Sequence, residues 1–128
     1  MKKIVLDASV ILAVLNEEPG SEKLTPEMLN NSAGSTVNIA EVHTKLVSRG
    51  GDADEAWEDT LGAIHESVPF TDEQARIAGG LVAKTRALGL SLGDRACLAL
   101  GLVLQAPVYT TDRSWKDLSL GVRIHVIR

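Results

Sequence analysis

Four acidic residues give this sequence its main chemical potential. Asp7 and Asp112 each follow a short apolar run typical of a buried strand, while Glu41 and Asp94 stand near predicted helix starts. Two carboxylates about 4 Å apart repel by roughly 4 kcal/mol at an effective dielectric of about 20, so acids gathered in one place must bind protons or share a cation. Sites built from carboxylate oxygens suit Mg²⁺ or Mn²⁺, with water completing the coordination shell.

Each of the four acids also has a purely structural interpretation. Asp7 could cap the helix that follows it, and Asp112 could close an Asx turn. Glu41 and Asp94 could be the acidic members of capping boxes, favoured by the helix dipole. For any one residue the structural role is the simpler explanation. If all four acids lie together, however, a metal site explains them better.

Apolar runs and helical periodicity alternate along the chain. Strands are predicted at residues 3–6, 34–37, 107–110 and 122–127, with a short extended piece at 68–70. Strands that alternate with helices indicate βαβ units, so the predicted fold is a three-layer α/β/α sandwich with a mostly parallel central sheet. Ligands bind at the carboxyl ends of the strands in such folds, and the four acids are expected to meet at this edge.

Capping residues predict four helix starts, at Asn38, Asp52, Thr71 and Ser91. Glu41 follows the first of these caps, and Asp94 the last, at the spacing of a capping box. The helix after Asp52 is acidic and has a predicted buried stripe of Ala53, Trp57, Leu61 and Ile64. The segment 96–104 is apolar all round, which predicts a helix buried on most sides.

The composition indicates one folded domain. The chain has 128 residues, of which 45% are hydrophobic and 3% aromatic, and this predicts a single domain over residues 1–128 with an aliphatic core. The longest apolar run is far shorter than the ~20 residues that span a bilayer. Cys97 is the only cysteine, so no intramolecular disulfide can form. We therefore expect a soluble, cytoplasmic protein that makes no contact with a membrane.

Other residues with chemical potential are better explained by packing or solvation. Three histidines lack the spacing of metal ligands: His43, His65 and His125. Cys97 lies within an apolar helix and is expected in the core. The two tryptophans, Trp57 and Trp115, are expected to pack rather than to stack on bases.

Charge is distributed unevenly along the chain. The net charge is −4, but the chain is neutral once the four acids are set aside, and residues 52–73 carry eight acids and no base. Three bases that follow the acids directly or after one helical turn could bind phosphates of a nucleic acid: Lys45, Arg95 and Arg113. Ordinary surface charge, or an ion pair between Glu41 and Lys45, would explain these bases equally well.

Four segments carry the sequence patterns of a known family. They are DASVILAVL at 7–15 with EPG at 18–20, STVNIAEV at 35–42, SLGDRACLALG at 91–101 and TTDRSW at 110–115. In this order and spacing they resemble a PIN domain, and within that superfamily the VapC-type toxins of prokaryotic toxin–antitoxin pairs. The resemblance covers essentially the whole chain, and it implies a PIN-like parallel sheet and a Mg²⁺- or Mn²⁺-dependent endoribonuclease.

The resemblance also implies roles for individual residues. The family's acidic, metal-binding quartet is matched by Asp7, Glu41, Asp94 and Asp112. Ser9 and Thr111 match polar positions that help to orient water or the carboxylates. The implied reaction is attack of water on an RNA phosphodiester, leaving a 5′-phosphate. The implied partners are RNA, a cognate antitoxin and a second copy of the chain in a homodimer.

Two other functions stay open at this point. One is a housekeeping PIN-domain nuclease without an antitoxin. The other is a non-catalytic interaction module, which would be expected to have lost part of the acidic quartet, whereas all four acids are present here. The acidic run at 52–73 matches no family motif; it could dock a basic antitoxin segment or direct RNA towards the basic C-terminal half.

Overall fold

The described chain, residues 2–128, forms one sheet of five parallel strands. In this computed structural model the strands are β1 (Ile4–Leu6), β2 (Ser32–Ser35), β3 (Glu66–Val68), β4 (Val108–Thr110) and β5 (Ile124–Val126). Their order across the sheet is β3-β2-β1-β4-β5, and every neighbouring pair is parallel. Successive strands are added on one side of β1 up to β3 and then on its other side from β4 onwards. This switch in strand order between β1 and β4 creates a crevice at their carboxyl ends.

Seven α-helices connect and cover the strands within residues 2–128. They are α1 (Ala8–Leu15), α2 (Pro26–Leu29), α3 (Thr36–Ser48), α4 (Ala53–Gly62), α5 (Asp72–Gly80), α6 (Val82–Thr85) and α7 (Leu92–Leu104). Short 3₁₀ turns lie at Ser21–Lys23, Arg86–Leu88 and Arg113–Asp117. None of the helices in this part of the chain combines the length and apolar character that crossing a bilayer requires.

The core lies on both faces of the sheet. Side chains alternate along β1, so that Ile4 and Leu6 pack in one apolar cluster with α1 and α3, while Val5 packs in a second cluster with α7. Cys97 and Trp115 are fully buried in this second cluster, as predicted. The three-layer α/β/α architecture predicted from the sequence is confirmed.

The second strand and the helix after it begin earlier than predicted. β2 ends at Ser35, whose hydroxyl accepts a hydrogen bond from the Val37 backbone at 3.2 Å and so caps α3. The strand predicted at 34–37 is present but lies two residues earlier, and the predicted cap at Asn38 is wrong. Ser and Asn are comparably good N-caps, and the sequence offers both within four residues. This shift places Glu41 in the second turn of α3 rather than the first.

The other three predicted helix starts are confirmed. The side chains of Asp52, Thr71 and Ser91 each accept a hydrogen bond from the backbone three residues later. The buried face predicted for the acidic helix α4 is wrong, however, because Ala56 and Thr60 are its buried residues.

Trp57, which was predicted to pack in the core, is 43% exposed and makes an edge contact with the His43 ring. Ala53 and Leu61 of the predicted stripe are also exposed, and Ile64 is buried just beyond the helix. In a short helix rich in charged residues, the few apolar side chains do not fix the inward face.

Candidate active site

The four predicted acids lie around the crevice between β1 and β4 without forming a closed cluster. Asp7 links β1 directly to α1, and Asp112 follows β4 after one intervening residue. Asp94 lies in the first turn of α7, and Glu41 projects from α3. Hydrogen bonds and electrostatic contacts described below connect all four to this edge.

Asp7 is the most deeply buried of the four acids, with 5% of its surface exposed. Its Oδ2 accepts hydrogen bonds from Ser9 Oγ at 2.8 Å and from Thr110 Oγ1 at 3.0 Å. Burial raises the pKa of Asp7 from its usual 3.8 to about 6; the two hydroxyls oppose the shift, and the nearby charge of Asp94 adds to it. A buried carboxylate usually has a positive partner, whereas these two partners are neutral, so the position favours a bound cation.

Glu41 is held against the start of α7 by Asn38. The Asn38 side chain is fully buried, and its Nδ2 donates to Glu41 Oε1 and to the Gly93 carbonyl oxygen, both at 2.9 Å. Rotating the amide would turn its oxygen towards these two acceptors, so the orientation is fixed. A Cβ at position 93 would overlap the Glu41 carboxylate, and this close approach therefore requires glycine.

Asp94 is oriented by the N-cap of α7. Its Oδ2 accepts from the Ser91 backbone at 2.9 Å, and its own N–H donates to Ser91 Oγ at 3.1 Å, which completes a capping box. The structural role considered for Asp94 is thus observed. Burial, with the negative charges of Asp7, Asp94 and Glu41, raises the pKa of the Cys97 thiol, so these three carboxylates lie within electrostatic range of the same buried residue of α7.

Asp112 lies at the exposed rim of the crevice. Its Oδ1 accepts from the backbone and the hydroxyl of Ser114, at 2.9 and 2.7 Å, so the Asx turn considered from the sequence is present. The backbone N–H of Asp112 donates to Thr110 Oγ1 at 3.1 Å, and the same hydroxyl donates to Asp7. Thr110 therefore connects Asp112 to the buried acid.

The two predicted supporting residues have different contacts. Ser9 bonds Asp7 directly, as described, and its Oγ also accepts from the Thr111 backbone at 3.1 Å. The side chain that reaches Asp7 from β4 is that of Thr110, a residue that the sequence reasoning missed. Alternation along β4 could have identified it, because Val108 and Thr110 are buried on either side of the half-buried Tyr109.

The three predicted phosphate-binding bases are placed unequally. Lys45 lines a small polar cleft whose wall also includes Ser9, next to Asp7. Arg113 is exposed, and its Nε donates to the Arg128 carbonyl oxygen at 2.9 Å. Arg95 turns away, because its side chain donates to the Ala78 carbonyl oxygen of α5 at 2.8 Å and its Nε is buried. Arg95 thus joins two helices instead of facing the crevice.

The alternative ion pair between Glu41 and Lys45 is not observed. Within residues 2–128, the ion pairs shorter than 4 Å are Lys3–Glu66 and Arg128–Glu18. None of the four acids is therefore neutralised by a basic side chain of the described chain.

The donor set fits a hard divalent cation, although it does not form a closed cage. As the side chains stand, no three His, Cys, Asp or Glu residues among 2–128 are close enough together to hold a metal ion. The fit is supported instead by the buried, unneutralised Asp7 and by the carboxylates of Glu41 and Asp94, which both lie at the start of α7. Asp7, Asp94 and Glu41 are the residues that could hold the ion, with Asp112 at the rim.

The sequence of this chain matches a known protein family over most of its length. Residues 4–120 match the PIN domain family. The chain belongs to the PIN domain family, and the resemblance to a PIN domain drawn from its four acidic segments is confirmed. Sequence comparison with curated proteins gives no match.

Solved structures with the same fold include several toxin–antitoxin complexes. VapBC2 from Rickettsia felis, bound to a DNA fragment from the promoter, is 17% identical, with a TM-score of 0.75 and coverage of 98% of both chains. VapBC from Salmonella typhimurium, bound to DNA, is 16% identical, with a TM-score of 0.74 and full coverage of both chains. VapBC-5 from Mycobacterium tuberculosis is 23% identical, with a TM-score of 0.65 and coverage of 99% of this chain and 100% of that one. At these identities the similarity shows a shared fold.

Proposed function

We propose that this protein is a metal-dependent endoribonuclease and the toxin of a type II toxin–antitoxin pair. The observation that supports a metal-dependent nuclease most strongly is the environment of Asp7. This carboxylate is buried, neutralised by no basic residue of the described chain, and raised in pKa to about 6 by burial and by the neighbouring Asp94. PIN-domain nucleases in general use divalent metal ions, and the site offers them oxygen ligands.

The residues around the acids orient one oxygen of each carboxylate. Hydroxyls fix Oδ2 of Asp7 and Oδ1 of Asp112, a backbone N–H fixes Oδ2 of Asp94, and Asn38 fixes Oε1 of Glu41. We propose that these four acids would hold a divalent cation through their carboxylate oxygens.

The proposed reaction is hydrolysis of an RNA phosphodiester. Water attacks phosphorus, the bond to the 3′ oxygen breaks, and the products are a 3′-hydroxyl and a 5′-phosphate. A divalent cation held by these acids would supply activation of the attacking water and stabilisation of the charge on the leaving oxygen. Asp7 and Asp94 would be the firmest ligands, because they approach the crevice from rigid points where a strand ends and a helix begins.

Cleavage of RNA tests the nuclease proposal. The wild-type chain should cut RNA with Mg²⁺ or Mn²⁺ and lose that activity in EDTA. Asp7→Asn and Asp94→Asn should each abolish cleavage, because a carboxamide is a much weaker ligand for a hard cation than a carboxylate. Asp59→Asn, a control on the exposed side of α4, should cut normally. Full activity of both site variants would refute the proposal.

The toxin role is supported by the relatives that share the fold, several of which are toxin–antitoxin complexes. We propose that this chain acts in the cytoplasm, forms a homodimer and is neutralised by a cognate antitoxin. Induced expression should arrest bacterial growth, Asp7→Asn should not, and co-expression of a protein encoded by a small adjacent frame should restore growth. Growth unaffected by an active nuclease would instead favour the PIN-domain nuclease without an antitoxin.

A further inference from the structure

A polar cleft beside Ser9 collects basic residues from two distant parts of the chain. It has a volume of about 280 Å³ and is lined by Lys45 and Arg49 at the end of α3, by Arg128, and by Ser9 and Thr111. Glu18 is the acid that also lines it. The proposed catalytic role does not use this concentration of positive charge, and Arg49 and Arg128 do not belong to any of the family-like segments.

The cleft adjoins the buried acid directly. Ser9, which forms part of its wall, places its hydroxyl 2.8 Å from Asp7 Oδ2, and the Thr111 backbone bonds the same hydroxyl. A group bound in the cleft would therefore be separated from Asp7 by the Ser9 side chain, so that one RNA strand could contact the cleft and the carboxylates together.

The positive charge of the cleft is only partly neutralised. Arg128 Nη1 donates to Glu18 Oε1 at 2.9 Å and to the Pro19 carbonyl oxygen at 3.3 Å. This hydrogen bond is the main reason that the pKa of Glu18 is lowered, and the charge of Arg49 contributes to the shift. Lys45 and Arg49 form no ion pair within residues 2–128. One acid thus faces three bases.

We propose that this cleft binds a backbone phosphate of the RNA strand next to the phosphate that is cleaved. The proposal rests on the proposed nuclease function. Arginine suits phosphate because its planar donors bind two oxygens at once, and such contacts position a nucleic acid without reading its sequence. The cleft would hold the strand in register, so that the neighbouring phosphate lies over the carboxylates.

RNA binding in EDTA tests the cleft separately from cleavage. Fluorescence anisotropy of a labelled single-stranded RNA would be measured with wild type, Arg49→Gln and Glu18→Gln. Arg49→Gln should weaken binding by about tenfold and reduce the slope of log K against log salt by about 0.7, the loss of one phosphate contact. Glu18→Gln should strengthen binding, because it removes the acid from the cleft. Arg86→Gln, an exposed arginine far along the chain from the cleft residues, is the matched control and should bind as wild type.

The outcomes separate the two proposals. If wild type cleaves RNA but Arg49→Gln and Glu18→Gln bind it as wild type does, the cleft proposal is overturned and the nuclease stands. If Arg49→Gln weakens binding of a partner protein but not of RNA, the cleft binds protein and the proposal is again overturned. Opposite shifts for the two variants, in a chain that does not cleave, would support the cleft and refute the nuclease.

Discussion

At the scale of single residues, the burial of Asp7 has a cost that depends on pH. Its pKa is about 6 in the folded chain against 3.8 for an exposed aspartate. The folded chain therefore holds this proton more tightly than the unfolded chain does. The stability that the protonated carboxyl contributes is fully present below about pH 4 and is lost as the pH rises through 6, by about 3 kcal/mol in total.

Asp7→Asn should remove this dependence. In EDTA, the free energy of unfolding of the variant minus that of wild type should increase between about pH 4 and pH 7, by up to about 3 kcal/mol. Urea denaturation at several pH values measures the difference. A constant difference across this range would mean that Asp7 is not destabilised by burial. Adding Mn²⁺ at pH 7 should stabilise wild type and not the variant.

Asn38 is expected to position Glu41 rather than to react. Asn38→Ala removes the donor shared by Glu41 and the Gly93 carbonyl oxygen, so the Mn²⁺ concentration for half-maximal cleavage should rise several-fold. Gln74→Ala is a matched control, because Gln74 is also a buried amide that donates to one backbone carbonyl and has an unpaired oxygen within the described chain. Both variants should lose about 1–3 kcal/mol of stability, but only Asn38→Ala should change the metal requirement.

The site could be predicted from the sequence only in part. Acids at or just beyond the end of a strand lie at the carboxyl edge of a parallel sheet, which made Asp7 and Asp112 identifiable. Asn38 was missed because it was assigned as a cap; once α3 begins at Thr36, it lies one turn before Glu41 on the same face. Arg49 and Arg128 could not be placed beside Ser9, since that contact depends on how distant segments meet.

At the scale of elements, the start of α7 links stability to the site. The capping box of α7 was predictable from local spacing. The first residue of α3 was not, because Ser35 and Asn38 are both suitable N-cap residues. The buried face of α4 was predicted wrongly for a different reason. Its buried residues, Ala56 and Thr60, are small, and the prediction relied on the larger Trp57, which is exposed.

Ser91→Ala tests the link between cap and site. It should cost about 1 kcal/mol of stability, because the Asp94 N–H loses its acceptor, Ser91 Oγ. The bond from the Ser91 backbone to Asp94 Oδ2 remains, but the first turn of α7 that carries it frays more easily, so metal affinity should fall. Thr71→Ala removes an equivalent cap from α5, where Thr71 also accepts from the backbone three residues later. Similar losses in thermal stability but a fall in Mn²⁺ affinity for Ser91→Ala alone would support the link, and equal metal affinities would contradict it.

At the scale of the whole molecule, the strand order places the crevice. Alternating strands and helices predicted a parallel sheet, but no local signal states that β1 lies at its centre. The burial of the strands matches that order. Val5 and Leu6 of the central β1 are fully buried, whereas β3 and β5 at the edges of the sheet are partly exposed. The acidic run at 52–73, which includes α4, is followed directly by the basic C-terminal part of the chain, residues 74–128. The two charge regions are thus separate segments that can serve different partners.

Reversing the charge of Glu55, Glu58 and Asp59 to lysine should separate these partners. If α4 docks a basic segment of the antitoxin, the triple variant should bind the antitoxin more weakly, because three attractive charges become repulsive. RNA affinity in EDTA should be unchanged. Unchanged antitoxin affinity would exclude this docking role, and altered RNA affinity alone would indicate that the acidic run directs RNA.

The most direct measurement is a calorimetric titration with Mn²⁺. Wild type should bind the ion at neutral pH, and Asp7→Asn and Asp94→Asn should each weaken binding by at least about tenfold, since each loses a charged oxygen ligand. Asp59→Asn should bind Mn²⁺ as wild type does. Undiminished Mn²⁺ binding by both site variants would contradict the claim that these carboxylates hold a divalent cation.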